Sequence, residues 1–209
     1  MEASVKMSEG PLVTQNPKLR RKRGFPFQLL ICVICVISGC SYVLSASLQV
    51  EKQKAFFENV KKLCGRQFEG ETVFPSDVNH PMVGKKLVVR VETCSDNEIR
   101  IPFQVGEDKS RTWVLTMTKD GLLLKHDHRH ADGTPDRITD YGGLATASGT
   151  QFRQSFPADA ATAKLIPEAS TNVWTLEIIP DKQQLTYYLE RHGQPRYKAQ
   201  LTQRRTSLE

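Results

Sequence analysis

The sequence predicts an all-β, mostly antiparallel fold. We expect a closed or nearly closed, lipocalin-like β-barrel of about eight or nine strands with one N-terminal amphipathic helix. Short runs within residues 67–202 alternate apolar and polar side chains, which is typical of a sheet with one wet face. Turn signals such as Asp120-Gly121 and His192-Gly193 join these runs in hairpin order. Closure into a barrel removes exposed strand edges, and a two-sheet sandwich is the alternative.

The N-terminal part of the chain has the pattern of an export signal. Five of the six residues at 18–23 are Lys or Arg, whereas residues 25–50 carry no charged side chain. Basic residues ahead of an apolar segment stay in the cytoplasm, so the chain that follows is exported. We therefore predict a basic, cytoplasmic or disordered leader at 1–24 and a signal or anchor segment at 25–47.

The apolar segment contains the run Ile37-Ser38-Gly39-Cys40, which resembles a bacterial lipobox. That resemblance implies a diacylglycerol on the Cys40 thiol, and several lipid chains together give stable anchoring. An uncleaved anchor is an alternative, because the uncharged stretch is long enough to span a bilayer of about 30 Å. Cleavage near Ala46 is another. All three place the remaining chain outside the cytoplasm. We expect it in a bacterial cell envelope, anchored to the membrane and facing the periplasm. For a lipoprotein, the resemblance implies sorting to the outer membrane, because the residue after the cysteine is Ser41 and not Asp.

Charge distribution argues against a nucleic-acid partner. The chain has a formal net charge of +6 over 209 residues. Residues 1–40 hold six basic and two acidic side chains, and residues 41–209 hold 23 and 21. The exported part is therefore nearly balanced and lacks the basic excess of nucleic-acid-binding domains. Its length suits one domain with a single core.

Cysteine usage predicts one disulfide. Five cysteines occur. Cys32 and Cys35 lie in the apolar segment, and Cys40 is the candidate for lipidation. The remaining pair, Cys64 and Cys94, lies in the part exported to an oxidising compartment. We predict a bridge between them that closes a loop of about 30 residues, and two free buried thiols are the alternative.

The amphipathic helix is predicted over residues 48–63, where apolar side chains recur at helical spacing. We expect it to pack on the barrel domain, residues 64–204. Strand alternation places Cys94 on the same face as Arg90 and Glu92. A bridge to Cys64 would then hold the end of the helix against the outer wall or rim of the barrel, and not inside it.

The predicted strands follow one another in hairpin order, and residues 157–171 form a loop with a helical turn. The strands cover residues 67–74, 84–94, 98–105, 111–118, 121–128, 150–156, 172–179, 184–190 and 194–202.

The most unusual exported stretch is the histidine run at residues 122–130. Because alternate strand residues share a face, its three histidines follow two inward leucines toward one end of the barrel. These histidines are His126, His128 and His130. One interpretation is a transition-metal site with the three imidazoles as ligands. A second is the floor of a polar pocket, and a third is a hydrogen-bonded network without a ligand.

Four further residues complete the candidate ligand pocket. Trp113, Trp174 and Tyr187 lie on inward strand positions, and Arg111 lies at the rim. Its guanidinium could clamp a carboxylate of a ligand or of Asp127, or form a structural salt bridge. The chain contains no nucleophile elbow, P-loop or dinucleotide fingerprint.

Several motifs between Cys64 and Thr202 carry a resemblance. They include Ser110-Arg111-Thr112-Trp113, the run from Leu124 to His130, Asp132-Gly133, Tyr141-Gly142-Gly143, Phe156-Pro157-Ala158-Asp159 and Asn172-Val173-Trp174. On these motifs the chain resembles a family of uncharacterised bacterial exported proteins and lipoproteins. The resemblance implies export and supplies no activity.

Three functions are compatible with these patterns. The first is a membrane-anchored barrel that binds a small molecule in the periplasm. The second is a metal-dependent hydrolase with His126, His128 and His130 as ligands and Asp127 or Asp140 as base. The third is a structural envelope protein without a ligand. The expected partners are the membrane and, for the first function, a small molecule; the cofactor is unknown unless the histidines bind a metal.

Overall fold

The computed structural model describes residues 48–75 and 77–204. All of them belong to one compact unit within residues 42–209. The predicted leader at 1–24, the signal or anchor segment at 25–47 and Cys40 lie outside the described residues. Within the described part of the chain, no helix has both the length and the apolar character needed to cross a membrane.

Helix α1 covers residues 48–61, two residues short of the predicted end, and a turn follows at 62–65. Its inward face buries Phe56, Phe57 and Val60, while Glu51, Lys52 and Lys54 on the other face are exposed. This is the amphipathic helix that the spacing predicts. Apolar burial against the barrel holds it in place.

In the rest of the described chain, the elements are eleven strands and one short helix. They are β1 (Gln67–Phe74), β2 (Leu87–Arg90), β3 (Thr93–Cys94), β4 (Glu98–Val105), β5 (Asp108–Thr118), β6 (Gly121–His128), β7 (Tyr141–Leu144), β8 (Arg153–Pro157), α2 (Ala160–Leu165), β9 (Val173–Ile179), β10 (Gln184–Arg191) and β11 (Gln194–Gln203). Short 3-10 turns cover Pro167–Ala169 and Pro180–Lys182.

The strands form one antiparallel sheet in the order β7-β6-β5-β4-β2-β1-β11-β10-β9-β8, with β3 paired to β4. The two terminal strands of this order approach each other. Asp159 donates its N–H to the Gly142 carbonyl at 2.9 Å, and Thr146 donates to the Ser155 carbonyl at 2.8 Å. A Cβ at Gly143 would lie 1.9 Å from the Pro157 carbonyl oxygen, so only glycine permits this approach. The sheet is therefore a nearly closed barrel, as predicted.

The strand count is eleven rather than the predicted eight or nine, for two reasons. Strand β7 was not expected, because its Tyr-Gly-Gly-Leu sequence has two poor strand formers. The predicted strand at 84–94 is divided into β2 and β3. Val89 pairs with Phe103 whereas Thr93 pairs with Arg100, so one extra residue lies between the two pairs.

The extra residue reverses the predicted orientation of Cys94. A shift of one residue moves every following side chain to the other face of a strand. Cys94 pairs with Ile99, which is fully buried, and packs against the core. The predicted disulfide to Cys64 is confirmed, but the predicted outward orientation of Cys94 is wrong. The bridge holds the end of α1 to the core side of the barrel wall.

The barrel has two unlike ends. At one, the helix end, α1 meets the β5–β6 and β7–β8 connections: the Gln53 Oε1 accepts the Leu122 N–H at 2.9 Å, and the Asn59 side chain donates to the Gln151 carbonyl at 3.0 Å. The other end, the mouth, carries the connections at 77–86, 106–107, 129–140 and 192–193. Alternate residues of every long strand fill the interior between the two ends.

Candidate functional site

Four of the predicted pocket residues meet inside the barrel near the mouth, and we call them the ring cluster. They are Trp113 on β5, His126 on β6, Trp174 on β9 and Tyr187 on β10. Trp113 and His126 are cross-strand partners. The Trp113 and Tyr187 rings stack with centroids 4.6 Å apart, and the His126 and Trp174 rings are 5.1 Å apart. All four are buried, so the side chains themselves fill this part of the interior.

His126 is held as a neutral imidazole with a defined tautomer. Its Nδ1 lies 3.1 Å from the Tyr141 carbonyl oxygen, which can only accept, so Nδ1 carries the proton. Its Nε2 lies 2.9 Å from the Tyr187 hydroxyl, which therefore donates. Burial lowers the pKa of His126 to about 3. Both ring nitrogens are thus committed to protein partners.

His128 and Tyr141 form a second pair, closer to the mouth. The Tyr141 hydroxyl lies 3.0 Å from His128 Nε2, and the Tyr141 ring stacks on His126 with centroids 4.7 Å apart. Burial raises the pKa of Tyr141 to about 12. Burial lowers the pKa of His128, and the positive charge of Arg111 lowers it further. Both residues are only partly buried, unlike the ring cluster below them.

Arg111 lies at the mouth, as predicted, and its partner is Asp108. It is directly opposite His128 on one side and Phe103 on the other, so it shares their inward face. Its Nη1 lies 2.5 Å from Asp108 Oδ2, and 25% of the Arg111 side chain remains exposed. Burial raises the pKa of Asp108, but hydrogen bonds from Ser110 and Arg111 outweigh that effect and lower the pKa to about 2.

Asp127 faces the outer wall of the barrel, away from the histidines. It forms ion pairs with Arg100 and Arg129, the latter at 3.0 Å. Burial raises the pKa of Asp127, and the hydrogen bonds from Arg129 and Arg100 lower it more. These contacts connect the 129–140 loop to the wall. Its partners are Arg100, Arg129 and Thr139 rather than Arg111 or a histidine ring, so this carboxylate acts as a structural anion.

The three histidines of the run do not form a ligand set. His126 is buried, His128 is bonded to Tyr141, and His130 is exposed beyond the end of β6. Asp140, the other candidate base, is exposed. Among residues 48–75 and 77–204, no group of three or more His, Cys, Asp or Glu side chains could hold a metal ion.

Other mouth residues were not expected from the sequence. His80, in the connection between β1 and β2, stacks on Tyr197 with centroids 5.4 Å apart. The Tyr197 hydroxyl lies 3.0 Å from Thr72 Oγ1. Tyr141 lies outside every predicted strand, and Asp108 lies between the strands predicted at 98–105 and 111–118. Tyr197 lies in the strand predicted at 194–202, whereas no local pattern indicated a loop histidine.

Comparisons with known proteins found no match: no family model, no curated protein and no solved structure matches this chain. The resemblance to bacterial exported proteins and lipoproteins stays a prediction.

Proposed function

We propose that this protein is an envelope-tethered binding module that takes a small ligand at the mouth of its barrel. The observation that carries the proposal is the grouping of Arg111, His128 and Tyr141 at the mouth. These side chains keep some exposure, whereas the ring cluster beneath them is closed. Binding sites typically place a few convergent polar groups beside apolar surface, and here three polar groups lie next to the aromatic rings of the cluster.

The ring cluster supports a site at the mouth rather than deep in the barrel. Trp113 and Trp174 are 1% and 2% exposed, and His126 uses both of its nitrogens on protein partners. Their contacts take up the space that an interior ligand would need. The cluster would serve as the floor of the site, and the ligand would lie above it against Tyr141 and His128.

Membrane anchoring and a periplasmic location are part of the same proposal. The disulfide between Cys64 and Cys94 supports an oxidising location, because structural disulfides are rare in the cytosol. The basic leader and the lipobox ending at Cys40 support export and lipid anchoring at the periplasmic side of a bacterial envelope. Radiolabelled fatty acid should enter the wild-type protein and not a Cys40→Ala variant. Labelling that survives this substitution would overturn lipidation at Cys40.

A structural envelope protein without a ligand is the second candidate. The close packing of the ring cluster favours it, because a filled barrel is a rigid scaffold whether or not it binds anything. The two candidates differ in what happens above that cluster. A ligand experiment at the mouth therefore separates them.

Intrinsic fluorescence reads the site directly. The chain has two tryptophans, and both lie in the ring cluster. We would titrate the full-length protein with benzoate, benzamide and indole and follow tryptophan emission. The binding proposal predicts a saturable change for at least one of these flat probes. If none of the three probes changes the tryptophan emission, the binding proposal is overturned in favour of the structural candidate.

The histidine run offers a matched pair of variants for this titration. His128→Ala removes the imidazole bonded to Tyr141, and His130→Ala removes an exposed imidazole two residues further on. We expect His128→Ala to weaken probe binding about ten-fold, because it removes a hydrogen-bonding side chain from the wall of the proposed site. The His130→Ala variant should bind like wild type. Equal effects of the two would place the site elsewhere.

A further inference from the structure

Arg111 presents its charge to the inside of the mouth. Cross-strand pairing with His128 and Phe103 places it on the inward face of β5. Burial raises the pKa of three tyrosine hydroxyls near it, and the guanidinium charge opposes that rise in each. These are Tyr141, Tyr187 and Tyr197. The cation therefore lies over the ring cluster and is not turned away toward the outer wall.

Asp108 reaches Arg111 through an irregularity in strand pairing. Residues three apart on a regular strand point to opposite faces. Here the register between β4 and β5 shifts between Phe103 and Val105, so that Asp108 pairs with Val105. The shift brings the carboxylate to the inward face, beside the guanidinium. Bulges of this kind are frequent next to functional sites, where they redirect a side chain.

The ion pair between them leaves capacity for another anion. It is made through Nη1, one of three guanidinium nitrogens, and a guanidinium has five N–H donors in a planar fork. The Asp108 side chain is 45% exposed, so water reaches it. An Arg fork binds a planar carboxylate through two parallel bonds, which is stronger than a single contact. A ligand carboxylate can therefore bind the remaining donors and compete with Asp108 for the guanidinium.

We infer that the mouth recognises the carboxylate of a small aromatic acid, and that Asp108 holds the Arg111 guanidinium in the ligand-free protein. This inference rests on the proposed function and names its ligand class. The carboxylate lies on the guanidinium, and the flat body of the acid lies against the Tyr141 and His128 rings. Aromatic walls suit such a body, because offset stacking of rings adds to the area that is buried.

Two probes of the same shape test the charge directly. Benzoate and benzamide have nearly the same outline, but only benzoate carries an anion for Arg111. Wild type should bind benzoate about ten-fold or more tighter than benzamide, as expected for a charge-assisted pair of bonds. In Arg111→Gln, benzoate should lose about that factor while benzamide binding stays within about two-fold. Thermal melts would confirm that the variant is folded.

A second variant moves affinity in the opposite direction. Asp108→Asn removes the competing carboxylate and should tighten benzoate binding about three-fold to ten-fold. The matched control is Asp120→Asn, which removes one exposed negative charge from the β5–β6 turn at the helix end. It should leave benzoate affinity unchanged. A gain of affinity cannot come from misfolding. The Asp108→Asn test therefore remains valid even if Arg111→Gln proves unstable.

The outcomes distinguish the two proposals. If wild type binds neither benzoate nor benzamide nor indole, the proposed function fails. If it binds benzamide as well as benzoate, and Arg111→Gln changes nothing, the mouth is a binding site but the carboxylate inference is wrong. If Asp108→Asn and Asp120→Asn tighten benzoate equally, the gain reflects net charge alone, and Asp108 is not a stand-in for the ligand.

Discussion

Different interactions dominate at the two ends of the barrel. At the helix end, Phe56, Phe57 and Val60 are at most 2% exposed, and a disulfide holds the end of α1. At the mouth, the partly exposed Tyr141 is hydrogen-bonded to His128, and the partly exposed Arg111 is ion-paired with Asp108. Apolar burial is non-directional and stabilises without specificity, whereas polar groups demand particular partners. The contrast predicts that the helix end contributes most of the stability, and it supports our proposal that the mouth is the recognition end.

The largest expected effect is at the helix end. Phe56→Ala should lower the free energy of unfolding by about 3–5 kcal/mol, because it removes a fully buried ring and leaves a cavity. Urea denaturation followed by circular dichroism measures it. Lys52→Ala, on the exposed face of the same helix, should change stability by less than about 0.5 kcal/mol. A loss below about 1 kcal/mol for Phe56→Ala would show that α1 does not close the barrel.

The disulfide should contribute slightly less. A bridge between residues 30 apart restricts the unfolded chain, and the Cys64→Ala/Cys94→Ala double variant should lose roughly 3–4 kcal/mol. Reduction of wild type with dithiothreitol should produce a similar loss. The same reductant should leave the double variant unchanged, which controls for the cysteines elsewhere in the chain. Stability that is independent of reductant would contradict a structural bridge.

We expect acid to lower the stability of the protein through His126, in the ring cluster near the mouth. His126 has a reference pKa of 6.5, and burial lowers the pKa to about 3 in the folded protein. The unfolded chain therefore binds this proton first as the pH falls below about 6.5, and stability is lost from there down to about pH 3. By pH 4 the loss from this group should be on the order of 3 kcal/mol. Unfolding titrations at pH 7 and pH 4 measure it.

A variant isolates that contribution. His126→Gln cannot take up the proton, so its stability should fall less between pH 7 and pH 4 than that of wild type. His192→Gln removes an exposed imidazole at the same end and should keep the wild-type pH dependence. Parallel pH profiles for wild type and His126→Gln would show that this imidazole is not buried in its neutral form.

The smallest expected effect concerns the pair closest to the mouth. Tyr141→Phe removes the hydroxyl bonded to His128 and should cost about 1 kcal/mol of stability. A double-mutant cycle with His128→Ala should give a coupling of at least about 0.5 kcal/mol. Because both residues are partly exposed, the same pair should matter more for probe binding than for folding. A coupling free energy of zero would show that the two side chains do not stabilise each other.

Local alternation predicted much of the barrel. Strands β1, β4 and β6 begin and end at the residues that the period-two pattern marks. The pattern also placed Trp113, His126, Trp174 and Tyr187 on inward faces, and the structure brings them together as the ring cluster. Alternation succeeds there because each of these strands keeps its register through the cluster.

Prediction failed where the register changes or the chain leaves the strands. One extra residue before β3 reverses Cys94, and the shift within the β4–β5 pair turns Asp108 inward. Both depend on the partner strand, which a local pattern does not contain. His130 leaves the shared face of the run because β6 ends at His128. His80 reaches the mouth from a connection without any period, so only the folded chain reveals it.

Mapping where a ligand binds tests the central contrast most directly. Benzoate would be titrated into the isotope-labelled full-length protein while backbone amide shifts are followed by NMR. We predict saturable shifts at residues of the mouth, led by Arg111 and His128, with α1 unaffected. Shifts centred on Phe56 and Val60, with the mouth unchanged, would contradict the assignment of recognition to the mouth and stability to the helix end.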